Sequence, residues 1–129
     1  MLVTSIPQYI QGLANAKVDL TTTHAPVLYT APSGADFNAS IISSILVSED
    51  SGNADTITVT ITSGSDVFSL FKVKAVGANG TVELLTRDLI LESAEILKVT
   101  AATANRLHVV ASIQELSKTR VTTSALAQI

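Results

Sequence analysis

The stretch Asp55–Gly64 reads DTITVTITSG, and its period decides the fold. Ile57, Val59 and Ile61 alternate with Thr56, Thr58, Thr60 and Thr62. A strict alternation of apolar and polar residues places the two sets on opposite faces of a β-strand, one face toward a core and one toward water. β-branched side chains suit both faces of a pleated surface. No residue in the stretch is a nucleophile activated by a neighbour, so its meaning is architectural.

The same period recurs on both sides. Upstream, KVDLT sets Val18 and Leu20 against Asp19 and Thr21, and PVLYTAPSG reads as a strand closed by a turn at Pro32 and Gly34. In ASIISSILVSED, strict alternation puts Ile41, Ile45 and Val47 on one face and Ile42 and Leu46 on the other. Both faces are apolar, which predicts a central strand or one covered on its outer side. SEDSGN is a turn cluster. Downstream, VFSLFKVKAV alternates Phe71, Val73 and Ala75 with Lys72 and Lys74, and GANG is a second turn. TVELL, DLILE and EILKVTAA follow, and RLHVVASIQEL points Leu107, Val109, Ala111 and Ile113 inward. About eight or nine strands separated by turns, with no long helical pattern between them, predict an all-β fold. The expected architecture is an antiparallel β-sandwich, jelly-roll-like, with a short N-terminal arm.

The ends depart from this rhythm. In MLVTSIPQYIQGLANA, Ser5 and Pro7 suit the start of a helix, with Tyr9, Ile10 and Leu13 on one face. Residues 1–16 are therefore expected to form a weakly helical arm that orders on contact with a partner. The expected organisation is an arm over 1–16, a sandwich over 17–116 and a C-terminal tail over 117–129, which ends in the patternless VTTSALAQI.

Composition narrows the function. A chain of 129 residues suits one domain with a continuous core. The absence of cysteine excludes disulfides, thiolate metal sites and a thiol nucleophile. The formal charge is −3, and the eight Lys and Arg residues are scattered, which argues against nucleic acid as a partner. No apolar run reaches the ~18–20 residues of a membrane-crossing helix, so no membrane partner is expected. The N-terminus lacks the basic flank of a signal peptide. With only 15% charged residues and a mean hydropathy of +0.42, part of the outer surface is expected to be buried against another subunit.

No residue set promises catalysis. His24 and His108 stand far apart in sequence, without the close spacing of a histidine metal site. The acidic loop with Glu49, Asp50, Asn53 and Asp55 holds oxygen ligands suited to calcium, but its spacing is that of a hairpin turn, not of an EF-hand. GANG has no following helix to complete a phosphate cradle. Glu92 and Glu95 bracket a turn, and with no Trp and 4% aromatics there is no stacking platform for a sugar. The expectation is a protein that is not an enzyme, with no catalytic residue, no cofactor and no metal.

The order of segments carries a further reading. A turn such as LYTAPSG leads into the long strand SIISSILVSE, then SGNADTITVTI, then GANGTVELLTRDLILESAEILKVTA, and RLHVVASIQEL closes the set. Over residues 18–116 this resembles a β-sandwich module of tailed-bacteriophage virion proteins. The resemblance implies a structural protein located in the virion, favouring a capsid decoration (cement) protein on the capsid surface. The alternative is a tail, neck or fibre component. It implies the major capsid protein or another virion protein as partner, and a homo-oligomer, with a trimer favoured. On that reading Leu2, Tyr9, Ile10 and Leu13 of the arm are the candidate assembly contacts.

Overall fold

In the computed structural model, which describes residues 9–118 (the side chain of Tyr9 excepted), the alternation of the opening stretch holds residue by residue. Ile57, Val59 and Ile61 are buried while Thr56, Thr58, Thr60 and Thr62 are half-buried. They lie on β4 (Asp55–Ser63), one of nine strands among the described residues. The others are β1 (Tyr9–Asp19), β2 (Val27–Thr30), β3 (Phe37–Glu49), β5 (Asp66–Val76), β6 (Thr81–Glu83), β7 (Leu89–Leu91), β8 (Ile96–Ala101) and β9 (Leu107–Ser117).

The pairing is nested. β1 pairs with β9, β2 with β8, β3 with both β6 and β7, and β4 with β5, all antiparallel. The chain is thus one long hairpin closed at β4–β5, with β6 and β7 acting as a single interrupted strand. Two further antiparallel pairings, β3–β9 and β4–β8, roll it into two sheets of order β1-β9-β3-β6, with β7 also on β3, and β2-β8-β4-β5. This is the strand order of a jelly roll, the architecture the periodicity predicts. Ile42, Ile45 and Val47 of β3 and Leu107, Val109 and Ala111 of β9 fill the space between the sheets from one side. Ile57 and Val59 of β4 and Leu97 and Val99 of β8 meet them from the other.

Two expectations need correction. The N-terminal stretch is not helical where it is described: residues 9–19 form β1, paired along β9, so the strand runs through the expected 16/17 boundary. A run of alternating small residues on an edge follows its neighbour's ladder, and the tertiary pairing overrides a weak helical signal. Residues 1–8 and 119–129, which carry the rest of the expected arm and tail, lie outside the described residues. On β3, Ile42 joins Ile45 and Val47 in the core while Ile41 and Leu46 face outward. The register shift between Ile42 and Ser44 inserts one residue and reverses the alternation that strict period two assumes.

Candidate assembly surface

The residues considered for chemistry each have a local explanation. His24 sits in the exposed β1–β2 loop, where its backbone N–H donates to Thr22 Oγ1. His108 lies on the outer face of β9 between two carboxylates, its Nε2 3.2 Å from Asp19 Oδ1 and its Nδ1 3.5 Å from Asp50 Oδ2. Among the described residues, no three His, Asp or Glu side chains gather in a group able to hold a metal ion.

The acidic loop is stapled from within. The buried Glu49 carboxylate accepts hydrogen bonds from the backbone N–H groups of Ser51, Gly52 and Asn79 and from the Ser51 hydroxyl. Burial alone would raise this carboxyl; the four donors outweigh it and hold the value at about 2. Asn79 belongs to the GANG turn, so Glu49 ties the β3–β4 loop to the β5–β6 loop. Asp55 accepts from the N–H of Thr103. Glu95 accepts from the N–H of Glu92 within their turn. Burial likewise opposes ionisation of Glu83, and donors from Ser44, Ile45 and Leu85 overcome it and lower its value. These carboxylates are engaged by the protein's own donors.

Between the sheets, the Tyr29 hydroxyl donates to Glu115 and lies 2.7 Å from Ser40 Oγ. Burial, then the Glu115 carboxylate, pushes the phenol up. The triad ties β2 to β3 and β9.

The outer face of the β1-β9-β3 sheet has a different character. Register places Leu13, Gln114, Ile41 and Ile90 in one row across β1, β9, β3 and β7. The adjoining row holds Ile10, Leu116 and Ala39. Further along come Lys17, Val110, Leu46 and Glu83, and then Asp19, His108, Ser48 and Thr81. One end of the face is therefore apolar and the other charged. At the apolar end Leu13 is 77% exposed, Ile90 60% and Ile10 56%. The bulge at Ser43 leaves a shallow depression in this end, lined by Leu13, Ile41, Ser43, Asp88, Ser112 and Gln114.

Of the four sequence-predicted contacts, Ile10 and Leu13 thus stand together on an exposed face, and Tyr9 is described only as the first residue of β1. Leu2 lies outside the described residues. Ile41 and Ile90 join them although sequence reasoning did not include them. The doubly apolar pattern of β3 was the available signal, since it called for cover on the outer side.

No family model and no curated protein matches the sequence. Solved structures do resemble it. A chain of the acid-stable capsid of Helicobacter pylori bacteriophage KHP30 superimposes with a TM-score of 0.50 at 13% identity, over 84% of this chain and 91% of that one. A pentameric capsid protein from metagenomic phage sequences gives a TM-score of 0.47 at 16% identity over 81% of this chain. This chain spans 61% of that protein's length. At these identities the likeness is one of fold.

Proposed function

We propose that this protein is a non-enzymatic structural component of a phage particle, and that it acts as a capsid decoration (cement) protein. The observation that carries the reading is the exposed apolar end of the β1-β9-β3 face. A face that gathers Ile10, Leu13, Ile41 and Ile90 is of the kind that marks an interaction surface rather than an ordinary monomer exterior. The jelly roll is an architecture used by viral shells, though also by lectins and cupins. The KHP30 capsid chain favours the first of these uses, and its fold matches over nearly its full length. The engaged carboxylates of Glu49, Asp55, Glu83 and Glu95 favour binding over catalysis.

In this reading the apolar end seats on the major capsid protein across neighbouring capsomers, and burial of leucine and isoleucine side chains supplies the adhesion. The protein works as a homo-oligomer, with a trimer the favoured count. Removing residues 1–16 is the wrong test, because it would strip most of β1 and leave β9 without a partner along that side. Point substitution of an exposed side chain is cleaner. Ile90→Asp should leave the melting temperature within a few degrees and weaken binding to expanded empty capsids of the phage encoding this chain at least tenfold. Unchanged binding would remove the face from the account. Localisation of the chain on tails in particle reconstructions would favour the tail, neck or fibre reading instead.

A further inference from the structure

The depression at Ser43 brings together two chemistries. Its volume is about 310 Å³, room for one long side chain. One wall is aliphatic: Leu13 and Ile41 belong to the apolar row that crosses β1, β9, β3 and β7, with Gln114 between them. The other wall is polar. Ser112 of β9 and the bulged Ser43 of β3 lead to Asp88, which immediately precedes β7. Asp88 is the single charged residue that lines the depression. Arg87 lines the neighbouring groove with Leu70 and Phe71, and Asp88 stands between the two.

Asp88 differs from the carboxylates described above. Glu49, Asp55, Glu83, Glu95 and Glu115 accept hydrogen bonds from the protein's own donors, and Asp19 and Asp50 flank His108. Asp88 forms no ion pair and no side-chain hydrogen bond with a described residue. The side chains of Ser112 and Gln114 form no hydrogen bond with a described residue either. Three unengaged acceptors thus surround a small space whose opposite wall is aliphatic.

That combination selects the occupant. A hard metal ion fits poorly, because it takes six or more oxygen ligands, and no group of three acidic or histidine side chains gathers among the described residues. A purely apolar side chain would cover the carboxylate without giving it a partner, which is costly. A long side chain with an aliphatic stem and a cationic head satisfies both walls. Between lysine and arginine the acceptors decide. The planar guanidinium carries five N–H donors, enough for the Asp88 carboxylate, the Ser112 hydroxyl and the Gln114 amide oxygen together, and it sheds water more readily than an ammonium. We propose that the depression is a socket for one arginine side chain of the major capsid protein, its stem against Leu13 and Ile41 and its guanidinium on Asp88. The socket rests on the capsid reading above and deepens it: apolar burial supplies adhesion, and the ion pair fixes which partner docks and in what orientation.

Cosedimentation of the full-length protein with expanded empty capsids of the proposed phage tests the socket, with wild type, Asp88→Asn and Ile90→Asp compared across salt concentrations. Asp88 is exposed, so Asp88→Asn should keep the wild-type melting temperature. The expected result is a loss of about tenfold in affinity for Asp88→Asn at low salt, which shrinks as added salt screens the wild-type ion pair. Equal binding by wild type and Asp88→Asn, with Ile90→Asp weakened, would overturn the socket and leave the capsid reading standing. If Asp88→Asn instead lowers the mass of the purified protein by light scattering and leaves capsid binding unchanged, the arginine comes from a second copy and the proposal falls. A second measurement needs no capsid. Acetyl-arginine amide titrated into the wild-type protein should shift the backbone amide resonances of Ser43, Asp88, Ser112 and Gln114. Its uncharged isostere, acetyl-citrulline amide, should produce shifts at least about threefold smaller, as should the arginine probe on Asp88→Asn. Equal shifts from both probes, or none at these residues, would overturn the socket even if the wild type coats capsids. A wild-type protein that takes the arginine probe but ignores capsids would overturn the major capsid protein as the source, together with the capsid reading.

Discussion

Val73 is held at a φ of 54°, a left-handed conformation that a β-branched side chain rarely adopts. The cause is local. Ile57 pairs with Lys74 and Val59 with Phe71, so Thr58 opposes two residues, and the Thr58 hydroxyl accepts the Val73 N–H at 3.0 Å. The side chain itself is 59% exposed and contributes little packing. Val73→Asn, a residue that tolerates this conformation, is therefore expected to raise stability by about 0.5–1 kcal/mol, read as a higher urea midpoint. A fall in the midpoint would mean that the valine packs in a way its exposure hides. Val59→Ala, one strand away and fully buried, should instead cost ~2–3 kcal/mol.

Glu49 gives the protein its acid limb. Its folded carboxyl titrates at about 2 against an ordinary value of 4.5. A depressed folded value stabilises the fold above the unfolded value, and that contribution is lost as pH falls through the window from 4.5 to about 2. Glu83 is lowered too and acts in the same direction. Glu49→Gln should therefore lower the melting temperature at neutral pH and flatten its decline across this window. Parallel acid limbs in the two proteins would show that Glu49 does not carry the effect. At the other extreme, the raised Tyr29 phenol stabilises below its ordinary value of 10 and loses that contribution as alkali ionises it.

Among the elements, β4, β8 and β9 were legible from sequence because each keeps a strict period of two with only one face buried. β3 was legible as a strand but not in its facing, because the extra residue near Ser43 leaves no compositional mark. β1 was misread because its pairing lies a hundred residues away on β9, and no local pattern encodes a partner so distant. That misreading touched the candidate contacts directly: Ile10 and Leu13 are strand residues on a sheet face, not one side of a helix. The consequence is testable. Deleting residues 1–16 should lower the melting temperature by more than 10 °C, since β9 would lose its partner along one whole side. A truncated protein that melts like the full chain would mean that β1 contributes pairing without stability.

Over the whole molecule, the nested pairing brings the first and last described strands together at the sheet that carries the apolar face. Its rows grade from Ile10, Leu13, Ile41 and Ile90 at one end to Lys17, Asp19 and His108 at the other. The threonine face that opened the sequence belongs to the opposite sheet, where Thr58 pairs with Thr100 and Thr60 with Lys98. The four threonines are half-buried, while the edge strand β5 of the same sheet exposes Val67, Phe68 and Val73. The proposed function assigns the partner to the β1-β9-β3 face. Cosedimentation of the purified chain with expanded empty capsids of the proposed phage, wild type beside Ile90→Asp and Thr60→Asp, tests this assignment most directly. The account expects saturable binding that Thr60→Asp leaves intact and Ile90→Asp weakens at least tenfold. Equal binding by all three proteins, or none by the wild type, would contradict it.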